Sequence, residues 1–152
     1  MLSRLIKLPV MLVFILALLM YVVDATGAGV SIAFAYQGVI SVTVFLFGLG
    51  IIALGGYTFR KANTTLNPRN PEKTTRLVTA GLYRYSRNPM YIGFLLWLLA
   101  GVIYFGNAFN LVLLPIFVVL VNRLFIRPEE AALAKLFGDK FVRYREKVRR
   151  WF

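Results

Sequence analysis

Hydrophobic and polar residues segregate along this chain into long blocks. Residues 8–23 are uncharged and mostly apolar, and after Asp24 no charge appears from 25 to 59. A polar block covers 60–87, and 88–122 is again free of charge. A helix crossing a bilayer needs about 20 mostly apolar residues. With its flanks, the first run predicts a span over 8–24. The second predicts one tilted span over 30–59, longer than the hydrocarbon layer requires. The third would measure about 52 Å as a single helix, too long for one crossing. It carries the turn pair Gly106-Asn107 near its middle, which predicts a hairpin of two short spans, 89–105 and 108–125. Beyond Glu130, the residues Leu133, Phe137, Phe141, Tyr144, Val148 and Trp151 recur at spacings of three and four. That is a helical stripe, and it predicts an amphipathic helix over 128–150 lying along the membrane surface. The predicted fold class is therefore all-α integral membrane: a single domain over 1–152, with four transmembrane helices and a C-terminal interfacial helix.

Charge orients this arrangement. The chain has 18 Lys and Arg against 6 Asp and Glu, a net charge of +12. With four spans, the N-terminus, the 60–88 connector and the tail lie on one side, and they hold every basic residue. The two opposite loops, near 24–29 and 106–110, hold none. The excess of Lys and Arg marks the cytoplasmic side, so both termini and the connector are expected there. The net charge then reflects topology and contact with anionic membrane lipids, and no nucleic-acid partner is expected. The basic start and apolar core of residues 1–23 also resemble a signal peptide. The core is long for that and the sequence around Asp24 cleaves poorly, so an uncleaved span is expected. The absence of Cys and His excludes disulfides, zinc-finger and other thiolate or imidazole metal sites, Cys nucleophiles and His general bases.

Two letter patterns carry no chemistry. Gly48, Gly50, Ala53, Gly55 and Gly56 include a G-x-G-x-x-A string, but it lies in a wholly apolar span without the strand that a dinucleotide site needs. Close helix packing through small residues explains it better. Asn63-Thr64-Thr65 spells a glycosylation sequon on the expected cytoplasmic side. The end of the connector, from Gly81 to Tyr91, is a better candidate. Asn88-Pro89 reads as a helix start, with Asn as cap and Pro at the first helical position. Arg87 then stands where amide N–H groups and the helix dipole favour an anion. Tyr83, Tyr85 and Tyr91 surround that point, although a basic, aromatic interface belt would use the same residue types. Carried backwards, the stripe of the tail puts Glu130 and Arg127 on the buried face at the exit of the fourth span, with Glu129 and Arg123 close by. Ionisable groups there need partners or a ligand: either an Arg127–Glu130 pair closes the bundle, or the group is a polar clamp.

Ser86-Arg87-Asn88-Pro89-Met90-Tyr91, a two-span hairpin, then Pro128-Glu129-Glu130, Leu133, Phe137-Gly138, Tyr144 and Val148 together resemble the isoprenylcysteine carboxyl methyltransferase family, and its small bacterial members most. The family pattern is R-H-P-x-Y, a distant E-E, an L and an F-G. Thr64-Thr65-Leu66-Asn67-Pro68 and Pro71-Glu72-Lys73 are similar as well, so the resemblance covers about 64–152. It implies an integral-membrane methyltransferase that takes S-adenosylmethionine on the cytosolic side and a lipophilic acceptor such as an isoprenylcysteine carboxylate. A phospholipid amine, a small thiol or a non-enzymatic membrane role are the alternatives. It further implies cofactor binding by Gly81, Tyr83, Arg87, Asn88, Pro89, Tyr91, Glu129 and Glu130. Asn88 replaces the motif His, keeping hydrogen bonding but not proton uptake. Phe125 replaces an arginine found in some members, which leaves Arg127 and Arg123 to act on the acceptor. No metal is implied. Methyl transfer from a sulfonium is an in-line displacement, accelerated by positioning and electrostatics.

Overall fold

A computed structural model describes residues 9–62 and 76–152. The described residues form helices α1 (Pro9–Ala25), α2 (Gln37–Lys61), α3 (Pro89–Phe105), α4 (Leu113–Val121), α5 (Arg127–Phe137) and α6 (Asp139–Lys147). Short 3-10 turns at Gly81–Arg84 and Ala108–Val112 precede α3 and α4, and a π-turn at Asn122–Ile126 joins α4 to α5. The sequon at Asn63 and the motif residues between Thr64 and Lys73 lie outside the described residues.

The core is a line of apolar side chains where α1, α3 and α4 meet: Leu16 and Met20, Phe94 and Leu98, Phe117 and Val121. The outer surfaces of α1 and α2 are equally apolar, and Phe14, Leu18, Leu46 and Phe47 are exposed there. A helix that is hydrophobic all round suits lipid on one side and protein on the other. Two helical stretches, Gln37–Lys61 and Ala108–Phe137, are long and apolar enough to cross a membrane, while Pro9–Ala25 and Pro89–Phe105 are shorter apolar helices.

α2 packs along α3 through the small residues singled out above, though only some of them serve. A Cβ on Gly48 would stand 2.9 Å from the Gly93 carbonyl oxygen, and one on Gly93 would stand 2.7 Å from that of Gly48. The two backbones therefore touch at this crossing. Gly55 faces Met90 in the same way, whereas Gly50 and Gly56 look into open space. Ser41 adds an interhelical bond, donating to the Ala100 carbonyl at 2.8 Å.

Element boundaries agree with expectation at the hairpin and depart from it elsewhere. α3 begins at Pro89 and stops at Phe105, where Gly106 takes the left-handed conformation (φ 61) and its N–H closes on the Val102 carbonyl. Asn107 then accepts from the Phe109 N–H at 3.0 Å, opening the next turn. The second helix begins at Gln37 rather than near residue 30, because the preceding segment is bonded to the hairpin. The Ile32 N–H donates to the Gly106 carbonyl and the Ala108 N–H to that of Val30, around an isolated bridge between Ser31 and Asn107. Gln37 donates to the Ile103 and Tyr104 carbonyls at 2.8 and 3.0 Å, satisfying acceptors left over at the end of α3. The fourth apolar helix does not stop at residue 125 but runs through the π-turn into α5. The expected single helix over 128–150 is broken at Gly138, whose φ of 49 and ψ of −126 suit glycine alone. It ends at Lys147, after which Val148 is extended.

Candidate functional site

The start of α3, α5 and the segment after α6 converge at one end of the bundle. Asn88 and Pro89 occupy the predicted cap and first helical positions, but the Asn88 side chain makes no capping bond. It donates instead to the Arg150 carbonyl at 3.1 Å, while the Asn88 N–H is taken by Ser86 Oγ at 3.1 Å. Arg87, directly before the cap, turns towards α5. Its Nη2 lies 2.7 Å from Glu130 Oε1, with its side chain 9 % exposed. The other carboxylate oxygen of Glu130 receives Arg150 Nη2 at 2.6 Å.

The Arg127–Glu130 pair, one of the two alternatives read from the stripe, is not formed. Arg127 and Arg123 are exposed, and the partners of Glu130 are Arg87 and Arg150. Both carboxylate oxygens of Glu130 are taken by those two guanidinium groups, and the residues buried just before α5 are Phe125 and Ile126. Glu129 faces inwards and accepts from the Tyr91 hydroxyl at 3.0 Å.

The two adjacent carboxylates differ in their electrostatics, and both lie beyond the apolar stretch that ends at Ile126. Burial disfavours the charge on Glu130, but the hydrogen bonds from Arg150 and Arg87 outweigh it and hold the carboxyl below its ordinary range. Glu129 has no ion pair among the described residues. Burial pushes its carboxyl up to about 7; the Tyr91 hydrogen bond works in the other direction, and the charge of Glu130 raises it further. A partly buried acid near neutrality with no cation beside it is suited to receiving one.

Aromatic side chains wall this end. Tyr83 and Tyr91 are buried; Tyr83 meets Phe59 edge-on at 5.1 Å between ring centroids, and Tyr91 lies against Phe94 and Phe125. The Tyr83 carbonyl accepts from the Tyr144 hydroxyl at 2.7 Å, tying the 3-10 turn to α6. Gly81 opens that turn at φ +60, and a Cβ there would stand 3.1 Å from the Thr58 hydroxyl, so its observed part is conformational. Tyr85 is exposed.

Tyr83, Arg87, Asn88, Pro89, Tyr91, Glu129 and Glu130 are thus gathered at one place, and Arg123 and Arg127 are on the outer surface. Periodicity gave no sign of Arg150, of Ser86, or of the backbone carbonyls after α6. The Arg150–Glu130 contact joins α5 to the segment beyond α6 across a helix break, where a running stripe has no predictive value.

Helices alone among the described residues, apolar outer surfaces and a polar cluster at one end of the bundle fit the class of membrane-embedded helical proteins. The sequence profile of the phospholipid methyltransferase family matches residues 36–140, and the chain belongs to that family. The resemblance to isoprenylcysteine methyltransferases is upheld too. The chain is 34 % identical over 109 residues to the protein-S-isoprenylcysteine O-methyltransferase of Schizosaccharomyces pombe, covering 66 % of this chain and 45 % of that protein. Against protein-S-isoprenylcysteine O-methyltransferase B of Arabidopsis thaliana it is 33 % identical over 112 residues, covering 67 % and 55 %. Against the Saccharomyces cerevisiae protein-S-isoprenylcysteine O-methyltransferase it is 30 % identical over 113 residues, covering 68 % and 46 %. The chain spans about half the length of these curated relatives. No solved structure matches it.

Proposed function

We propose that the protein is a multi-pass membrane methyltransferase that uses S-adenosylmethionine and methylates a lipophilic acceptor, of which an isoprenylcysteine-type carboxylate is the first choice. The observation that carries this reading is Glu129: a partly buried carboxylate with no cationic partner among the described residues, held by Tyr91 inside an aromatic wall, in a chain of this family. The donor set suits a cofactor that presents an ammonium and a sulfonium. Glu129 receives the ammonium, and the faces of Tyr83 and Tyr91 attract positive charge. Tyr91 fixes the Glu129 carboxylate by its hydrogen bond. Gly81, Asn88 and Pro89 shape the approach to α3. Arg87 and Glu130 are engaged with each other and with the segment after α6, so their part in binding is to hold the wall rather than to meet the ligand.

When bound, the cofactor supplies an electrophilic methyl group, and transfer to a carboxylate breaks a C–S bond and forms an ester C–O bond with no proton to move. An ionised carboxylate needs no general base, which agrees with a chain that lacks His and Cys. Arg123 and Arg127, exposed where the apolar helix ends, are placed to hold an anionic acceptor arriving from the membrane interface.

Four spans, carried by α1, α2, α3 and the apolar part of the stretch that opens at Ala108, are the proposed topology, with the site and both ends cytoplasmic. The tail supports an interfacial position. Phe141 and Val148 are buried and Tyr144 partly so, while Lys140, Arg143, Glu146 and Lys147 are exposed. Labelled-methyl transfer by detergent-purified protein to a prenylcysteine, an aminolipid and a thiol tests the acceptor. Transfer to the prenylcysteine alone is expected; transfer to the aminolipid alone would move the protein to the substrate class in its family's name.

A further inference from the structure

The segment that follows α6 lies across the start of α3, and backbone carbonyls hold it there. The Arg87 N–H donates to the Arg149 carbonyl at 3.0 Å. Ser86 Oγ and Asn88 Nδ2 both donate to the Arg150 carbonyl at 3.1 Å. Arg87 Nη1 donates to the carbonyls of Val148 at 2.7 Å and Arg145 at 3.1 Å. A guanidinium has five N–H donors. With Nε and Nη2 on Glu130, Arg87 has four engaged, which leaves little for an incoming anion. Both oxygens of Glu130 are taken as well. At its far side the segment is anchored by Trp151, which packs on the core and donates to Asn122 Oδ1 at 3.3 Å. Arg150 closes the ring. Its side chain is 34 % exposed, so its contact with Glu130 is the outermost of the set.

We propose that residues 145–151 are a latch over the cofactor side of the site, with Arg150 as a positioning residue that acts through Glu130 on Arg87 and the start of α3. The inference rests on the reading that the cofactor binds at Tyr91 and Glu129. Released from Arg150, Glu130 no longer has one of its two guanidinium partners, and Arg87 is held on one side only. The segment then opens and the α3 start loses its bonds to the 149 and 150 carbonyls.

The test combines amide hydrogen exchange over residues 145–151 with S-adenosylmethionine affinity, on wild type, Arg150→Ala and Arg150→Lys. Exchange in the cofactor-free Arg150→Ala protein should quicken about tenfold, and affinity should fall by about the same factor. The turnover number at saturating cofactor should hold within about twofold, because Arg150 touches no reacting group. Lysine, which keeps the charge but not the fork, should recover part of both losses. Saturating cofactor should slow exchange of the segment in the wild type. Failure of the wild type to bind S-adenosylmethionine would remove the reading beneath the inference. Wild-type binding together with unchanged exchange and affinity in Arg150→Ala would overturn the latch alone.

Discussion

Glu129 and Glu130 adjoin in sequence, yet their surroundings push their carboxyls in opposite directions, and pH separates their effects. Glu129 binds its proton more tightly folded than unfolded, since its value rises from 4.5 to about 7. Its favourable contribution is complete below about 4.5 and is lost as pH climbs towards 7. Glu130 is depressed, so its contribution fades only as pH falls below the ordinary carboxyl range. The melting temperature of the cofactor-free protein should therefore decline from pH 4.5 to 7, and Glu129→Gln should flatten that slope; an unaltered slope would remove Glu129 as the acid responsible. On the outer surface, Arg123→Ala and Arg127→Ala should raise the KM for an anionic acceptor up to about fivefold, the range of an exposed ion pair. The KM for the cofactor should stay unchanged, and steady-state kinetics with each substrate varied in turn would show it. Much of the cluster was legible from sequence because Arg87, Asn88, Pro89 and Tyr91 lie within one helix start. Arg150 was not, because its contact with Glu130 arises only when separate helices fold against each other.

Helix boundaries were readable where a single residue decides them. Pro89 opens α3, and Gly106-Asn107 turns the chain. They were not readable where a distant partner decides. The segment before Gln37 is unwound by bonds to the hairpin, and both oxygens of Glu130 are claimed by arginines from outside α5, partners that a stripe extended backwards does not reveal. The glycines of α2 show the same division. Their packing role was legible, but which of them face α3 was not. Gly93→Ala should destabilise the protein by about 1–3 kcal/mol, the cost of overfilling a close contact, whereas Gly50→Ala, with open space around it, should not. Unfolding by denaturing detergent would read the difference, and equal stability of the two variants would contradict the observed backbone contact.

At the scale of the molecule, a chain this apolar and this unevenly charged is organised by the bilayer, with the cluster at the end where the basic residues gather. The lack of native cysteine makes single-cysteine labelling unambiguous. Cysteines at Lys73 and Phe152 should label from the cytoplasmic side and one at Phe109, exposed beside the hairpin turn, from the other. Labelling of Phe109 from the cytoplasm would undo the hairpin crossing. The central claim is that Glu129, held by Tyr91, receives a cationic methyl donor, and calorimetric binding of S-adenosylmethionine to purified wild type and Glu129→Gln tests it most directly. Loss of a charge-assisted contact costs about 1.5–3 kcal/mol, so wild type should bind and the variant about ten- to a hundredfold more weakly. Wild-type affinity should also rise with pH through about 7 as Glu129 ionises, a trend the variant should lack. Equal affinity in the two proteins at every pH would contradict the account.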